Sequence, residues 1–436
     1  MTYPFPVYPL ETPAMRPLEI IPVQDQGRQF LLVRDPMGVL PGMAALPPDP
    51  IIIAILQHAD GTNDVARIAE EARNLSGMII TADKVRHVVK EMDGALLFFS
   101  DAFRDKWQAR QDEYRKLPVR PFRCFESTDR LLMMKTLGDE FRRHKMGRNS
   151  PPEKLPLPAG NSVRAILAPH IDYKRGGETY AWAYQAIEQH TRADTYIVLG
   201  TLHRPASHLF IATDKNYDTP FGPVETDHAM LEELKALYPH ELMAEDYLHA
   251  DEHTIELQAV YLKKVLGDRP FKILPILVGS IDDYLVLNPP VVPHEVDEEL
   301  SAMIKALRTL LQKHGEKVVL IGGVDMAHCG PEFGDQQPNT EEIERAIRQQ
   351  DESALAHVES VNATGFYDTF RPSMNERKVC SIAPIYTVLA ALEGMDLKGH
   401  RLNYHQANSP DRNTMVTFAS VAFAPDKPAS RIILTG

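Results

Sequence analysis

KVVLIGGVDMAHCG, residues 317–330, decides how the rest of the chain is read. The apolar run Val318–Ile321 leads through two glycines to Asp325, His328 and Cys329. A short apolar run closed by glycine is the pattern of a strand buried on both faces, as in a parallel sheet covered by helices. Polar residues just beyond such a strand lie at its carboxyl end, where open α/β sheets bind their ligands. Asp, His and Cys within five residues also raise a narrower question: whether this stretch is a metal site by itself.

Working outward, VRAILA (163–168), TYIVLG (195–200) and FKILPILVG (271–279) repeat the apolar pattern. Amphipathic helix candidates separate them: YAWAYQAIEQH, DHAMLEELKALY, IELQAVYLKKVLG, VDEELSAMIKALRTLLQKHG, TEEIERAIRQQ and SIAPIYTVLAALEG. This alternation predicts an α/β domain over 161–436, with a mostly parallel central sheet flanked by helices. HRLNYHQ and MVTFASVAFAP are expected to add antiparallel edges. Upstream, QFLLVRD (29–35) reads as a strand and LPPDP (46–50) as a break. PIIIAILQHADG, TNDVARIAEEARNLSG and TADKVRHVVKEMDGALLF then carry helix caps and glycine stops. They predict a small winged-helix-like domain over 1–115. Between the two domains, 116–160 reads as a linker containing one helix, RLLMMKTLGDEFRRHK, before the proline-rich NSPPEKLPLPAGN.

With 436 residues the chain has room for two or three domains of roughly 150 residues each. A formal charge of −13 argues against a nucleic-acid partner, which needs a basic face. Cys124, Cys329 and Cys380 are odd in number and widely spaced, so a reducing interior is expected rather than a disulfide framework. No signal peptide is evident, and no run reaches the roughly 18 apolar residues that would span a bilayer. A cytoplasmic protein without membrane contact is the expectation; the sequence leaves its oligomeric state open.

Three of the predicted strands deliver a histidine to one rim: His170 with Asp172 after VRAILA, His203 after TYIVLG, and His328 with Asp325 after KVVLIGG. One such histidine would be unremarkable, but three point to a shared metal or acid–base site. Imidazoles with a carboxylate or thiolate suit iron, copper or zinc better than magnesium or calcium. With no HExxH or CxxC motif, the site has to be assembled from distant segments. In DEHTIELQ (251–258), His253 and Glu256 are three apart, so they fall on one helix face within hydrogen-bonding reach of each other, although capping of an acidic helix start explains most of that stretch.

The ordered set APH…Y…GG (168–177), LGTLH (199–203), YDTPFGPVETD (217–227), DEHTIELQ, ILPILVG (273–279), DMAH (325–328) and KVCSIAPI (378–385) resembles the Memo family, which includes the B component of AmmeMemoRadiSam systems. That resemblance implies the fold of the LigB-like class III extradiol dioxygenases, which use non-haem iron(II). It implies metal ligation by His170, His203 and Cys380. It places Asp325 and His328 in the pocket, with His328 oriented by Asp325 for acid–base work, and His253 and Glu256 in an acidic-His-x-x-Glu motif. Cys329 falls where the family usually has an aromatic residue and inherits no ligand role. The family's PHAGY reads PHIDY here, with Asp172 and Tyr173 beside the first ligand; its second histidine after the strand is Arg204; and the glycine after the cysteine is Ser381. These changes bear on the substrate and on metal choice.

What the resemblance implies is an iron(II)- or copper-dependent oxidoreductase acting on a small molecule or peptide, with catalytic His328, Asp325 and His253. Glu256, Asp172, Tyr173 and Arg204 would line or support the pocket. The alternatives are a non-catalytic metal- or peptide-binding adaptor and a zinc hydrolase. A radical-SAM enzyme is the implied system partner. In the N-terminal region, ADGTNDVARIAEEA and its flanks resemble PqqD-like peptide-clamping domains.

Overall fold

The structure is a computed structural model describing residues 5–25, 27–35, 37, 39–40, 44–124, 129–147, 149–160 and 162–426. The first residues of the proline-rich start, residues 125–128 and 148 of the predicted linker, and Asn161 at the start of the predicted α/β domain fall outside them. The chain divides into two compact units, Met1–Leu117 and Pro118–Gly436.

In the first unit β1 (Glu19–Asp25), β2 (Arg28–Arg34) and β3 (Ala44–Leu46) form an antiparallel meander. Helices α1 (Pro50–His58), α2 (Val65–Ser76), α3 (Ala82–Gly94) and α4 (Asp101–Lys116) follow. Asp49, Asp64, Thr81 and Ser100 cap the four helices by accepting from first-turn N–H groups, and Gly77 closes α2 in the left-handed region at φ 68°. The apolar stripes Ile51/Ile52/Ile55, Val65/Ile68/Ala72 and Val85/Val89/Met92 meet in one core. The strand QFLLVRD corresponds to β2 and the three capped segments to α1–α3; β1, β3 and α4 are additional.

In the second unit, the short β4 (Val119–Arg120) and the helix α5 (Arg130–His144) come first. The strands β5 (Ala165–Ala168), β6 (Thr195–Thr201), β7 (Phe210–Ala212), β8 (Asn216–Tyr217), β9 (Lys272–Val278), β10 (Val318–Gly323), β11 (His328–Cys329), β12 (Lys398–Asn408) and β13 (Met415–Ala424) follow. The helices are α6 (Tyr173–His190), α7 (His228–Leu237), α8 (Thr254–Leu266), the one-turn α9 (Pro293–Val296), α10 (Glu298–His314), α11 (Glu341–Glu359), α12 (Ala363–Asp368) and α13 (Ile382–Leu392).

An eight-stranded sheet runs β11-β13-β5-β10-β6-β9-β7, with β12 also paired to β13. Its four central strands, β5, β10, β6 and β9, are parallel, and each is an apolar run buried on both faces. α6 and α8 cover one face; α7, α10 and α13 cover the other. The C-terminal strands are antiparallel as expected, but only β12 is an edge. β13 pairs with β5 on one side, and all ten of its residues are buried.

The stretch read as a linker belongs to this second unit. β4 pairs with β8, and Phe141 of α5 packs its ring 5.1 Å from Tyr173 and 4.4 Å from Tyr261. Past α5, Trp182 Nε1 donates to Asn149 O at 2.6 Å and Gln189 Nε2 to Glu153 O at 2.7 Å. Proline-rich composition signals a missing ladder of its own; α6 supplies the partners instead. Among the described residues no helix is long and apolar enough to cross a membrane.

Candidate metal centre

β10 lies between β5 and β6, so the three histidine-bearing loops leave neighbouring strands at the same end of the sheet. Cys380 joins them from the start of α13, on one face, and Glu252 and His253 from the start of α8, on the other. α8 reaches this far because glycines stand at the carboxyl ends of β6 and β10, Gly200 next to last and Gly323 last. A Cβ on Gly200 would sit 2.5 Å from Thr254 Oγ1 and 2.5 Å from Ile255 Cγ1, and one on Gly323 would sit 3.1 Å from Thr254 O. Only bare backbone admits the first turn of α8 against the strand ends.

His170 Nε2, His203 and Cys380 Sγ offer donor atoms that all lie within 4.8 Å of one another, with Sγ 3.4 Å from His170 Nε2. Each imidazole is held by its other nitrogen. His170 Nδ1 bonds Gly323 O at 2.9 Å, and His203 Nδ1 lies 3.2 Å from Glu252 Oε1. This leaves both Nε2 atoms available, the arrangement by which proteins fix a metal-binding histidine's tautomer and ring plane. Two imidazoles and a thiol are a donor set for iron, copper or zinc, so the residues fit the metal that the resemblance implies. His203 also groups with Glu252 and His253. The Glu252 carboxylate is already engaged there, accepting from the backbone N–H groups of His203, His253 and Thr254.

The electrostatics set the two imidazoles apart. Burial, and then the neighbouring His203 and His253, push His170 well below the usual histidine range, so it is neutral. Burial opposes a charge on His203, but hydrogen bonds to Cys380 and Glu252 outweigh it and raise the group to about 11. A proton on His203 thus sits beside the Glu252 carboxylate, and a metal at Nε2 would have to displace a proton from the ring. Burial likewise opposes the Glu252 charge, yet His203 and His253 hold this carboxyl well below its ordinary range. Asp325 is fully buried and pushed up to about 7, against the pull of the His170 N–H bond at 3.0 Å.

Two expected relationships are corrected. His328 is not oriented by Asp325: its Nδ1 bonds Met326 O at 3.0 Å and Lys378 O at 3.1 Å, while Asp325 accepts from His170 N and has Oδ2 3.6 Å from His170 Nε2. Two carbonyls hold the ring because the chain turns sharply at Lys378, φ 53°, and β11 pairs with β13. His253 and Glu256 are three apart but do not pair. His253 Nδ1 meets Glu252 at 3.1 Å, whereas the fully buried Glu256 forms an ion pair with Arg120 and accepts from Arg123 N and Cys124 N.

The other expected residues divide. Asp172 caps α6 by accepting from Arg175 N and pairs with the Arg175 side chain at 2.6 Å. Tyr173 is buried with its hydroxyl donating to Leu257 O at 2.6 Å, and Arg204 reaches toward Asp251 at 3.4 Å. Cys329 is buried in β11, its thiol pushed up to about 11 by burial, and belongs to no donor group among the described residues.

A family model described as Memo-like protein matches residues 142–422, well over half of the chain. The chain belongs to the Memo family. An Aquifex aeolicus MEMO1 family protein is 23% identical over 407 residues, covering 92% of this chain and 97% of the relative. A Caenorhabditis elegans protein memo-1 homolog is 26% identical over 261 residues, covering 58% of this chain and 69% of its own. A Methanosarcina barkeri MEMO1 family protein is 26% identical over 264 residues, covering 60% and 86%. The Aquifex match is wide enough to include most of Met1–Leu117. A solved structure of an uncharacterized Escherichia coli protein covers 60% of this chain and 99% of its own at 14% identity and a TM-score of 0.35, too low to carry an argument.

In this Memo-family chain the candidate ligands His170, His203 and Cys380 line a cavity of about 790 Å³. Its walls are largely apolar, with Phe122, Leu137, Tyr173, Leu257, Phe333 and Val416, and Arg175 and Lys378 also line it. Sequence reasoning missed Glu252, whose only signal was its place in the Asp-Glu-His run. It also missed what Ser381 does. Ser381 Oγ accepts from Asp325 N at 3.0 Å and lies 2.9 Å from Thr201 Oγ1, tying α13 to the ends of β6 and β10. Phe122 and Leu137 come from the stretch read as a linker.

Proposed function

We propose that His170, His203 and Cys380 hold a redox-active metal, iron(II) or copper, and that the protein is an oxidoreductase acting on a small molecule or peptide group admitted to the cavity. The observation that carries the reading is the convergence of three donor atoms within 4.8 Å, both imidazoles being anchored through Nδ1. A metal bound there supplies one-electron chemistry and open coordination positions. The protein's part is orientation and proton handling. Glu252 keeps His203 aimed and places His253 beside it, with the two rings stacked at 5.2 Å. His328, held neutral at pH 7 because burial pushes it to about 4, presents Nε2 to the cavity as a proton acceptor. Asp325, near 7, takes or gives a proton beside His170. The apolar walls exclude water and favour a ligand with a hydrophobic body.

Cys380 supports a second reading, metal handling without turnover, since a thiolate is softer and more easily oxidised than a carboxylate. A zinc hydrolase is the weaker third. A PqqD-like role for the first unit would make the edge of its meander a peptide clamp, and a radical-SAM enzyme would be the matching partner in a cytoplasmic setting. The test is anaerobic purification, metal analysis and dioxygen uptake with catechols and peptides, for wild type and Cys380→Ala. Bound iron or copper with uptake that disappears in the variant supports the oxidoreductase. Metal without turnover supports the second reading, and zinc without redox response the third.

A further inference from the structure

The family match begins at residue 142, but the site begins earlier. Arg120, on β4, has a fully buried side chain, and its bonds go to the loop that ends in the metal centre. Nε donates to His249 O at 2.9 Å, Nη2 to Glu252 O at 2.8 Å and Nη1 to Pro121 O at 2.9 Å, while the guanidinium forms an ion pair with Glu256. Glu256 in turn accepts from Arg123 N at 3.1 Å and Cys124 N at 2.5 Å. His249 is fixed through both nitrogens, to the Tyr217 hydroxyl at 2.7 Å and Ile211 O at 2.9 Å.

A buried guanidinium is tolerated only when it is paired and hydrogen-bonded. Here its planar fork spans two carbonyls and a carboxylate of 249–256, a geometry that lysine cannot reproduce. The backbone of Glu252 is gripped by Arg120, while its carboxylate grips His203 N and Nδ1. We propose that Arg120 is a positioning residue for the metal centre, acting through Glu252 on His203. The segment Val119–Cys124 is therefore part of the site, although it lies upstream of the family-matched region. This inference rests on the metal reading above.

The test uses the full chain loaded anaerobically with Co(II), with affinity read by chelator competition, and with the d–d and thiolate charge-transfer bands and the melting temperature recorded. Arg120→Met alone strands the buried Glu256 charge and is expected to unfold the protein. Arg120→Met/Glu256→Gln removes both charges. It is expected to fold, bind Co(II) about 10- to 100-fold more weakly and shift the d–d bands, while keeping the thiolate band from Cys380. Arg120→Lys, which keeps the charge but loses the fork, is expected to fall between. Wild-type affinity and bands in the double variant overturn the proposal; if that protein does not fold, the same result in Arg120→Lys does so. A wild-type spectrum with no thiolate band, or with one untouched by Cys380→Ala, overturns the metal reading and this inference with it.

Discussion

Gly200→Ala tests how the centre is assembled without touching a proposed ligand. The new Cβ would lie 2.5 Å from both Thr254 Oγ1 and Ile255 Cγ1, so ordinary contact requires the start of α8 to withdraw by roughly 1 Å. Neither atom yields easily: Thr254 and Ile255 are fully buried, and Thr254 Oγ1 is committed to Thr201 O at 2.9 Å. Overpacking of this kind costs about 1–3 kcal/mol. Because Glu252 and His253 immediately precede this turn, the same withdrawal stretches the 3.2 Å contact from Glu252 to His203 beyond hydrogen-bond reach. Loss of such a support weakens metal binding by about 10- to 100-fold. The assay pairs urea denaturation of the metal-free protein with chelator-competition titration of iron(II) under anaerobic conditions. Gly138→Ala is the control, since its Cβ would meet only Lys264 Nζ at 3.9 Å within a helix. The control should gain about 0.5–1 kcal/mol and keep its metal affinity. A Gly200→Ala protein with unchanged stability and affinity would refute the close approach of α8 as the device that builds the site.

Other consequences are accessible in the same preparations. Glu252→Gln should fold and yet bind metal about 10- to 100-fold more weakly in chelator competition, because an amide offers one uncharged acceptor oxygen where the carboxylate offers two to His203 and the neighbouring N–H groups. His249 is buried neutral, with burial pushing it down to about 3, so the unfolded chain takes up a proton near pH 6.5 that the folded chain refuses. Its contribution is intact above pH 6.5 and is lost as pH falls toward 3, by roughly 2 kcal/mol between pH 6.5 and 5. Urea midpoints across that range should fall less steeply for His249→Gln than for wild type. Phe122→Ala should leave metal content unchanged while weakening the binding of an apolar probe such as 4-butylphenol, measured by calorimetry; equal affinity in the two proteins would remove Phe122 from the cavity wall.

The central sheet was legible because β5, β6, β9 and β10 are buried on both faces and therefore read as continuous apolar runs. His170, His203, Asp325 and His328 were legible for a related reason: each follows a strand end, and three neighbouring strands bring them to one cavity. Cys380 needed the family resemblance: its place just before a helix candidate suits a ligand, but a buried structural cysteine fits the same place. Orientation was not legible. Met326 O and Lys378 O hold His328, and backbone carbonyls leave no mark in side-chain spacing. Glu252 could not be told from Asp251 before the loop was built, and Arg120 reaches partners more than 120 residues away. Prolines disguised 149–160 as a tether, because side chains on α6 supply the hydrogen bonds that its own backbone does not make.

The claim that His170, His203 and Cys380 form one metal-binding set is tested most directly by X-ray absorption at the edge of the metal bound by the anaerobically purified protein. The account predicts one sulfur at about 2.3 Å and imidazole scattering in the wild type. It predicts loss of the sulfur in Cys380→Ala and loss of most bound metal in His170→Ala. Full metal content in both variants, or a wild-type spectrum without sulfur, would contradict it.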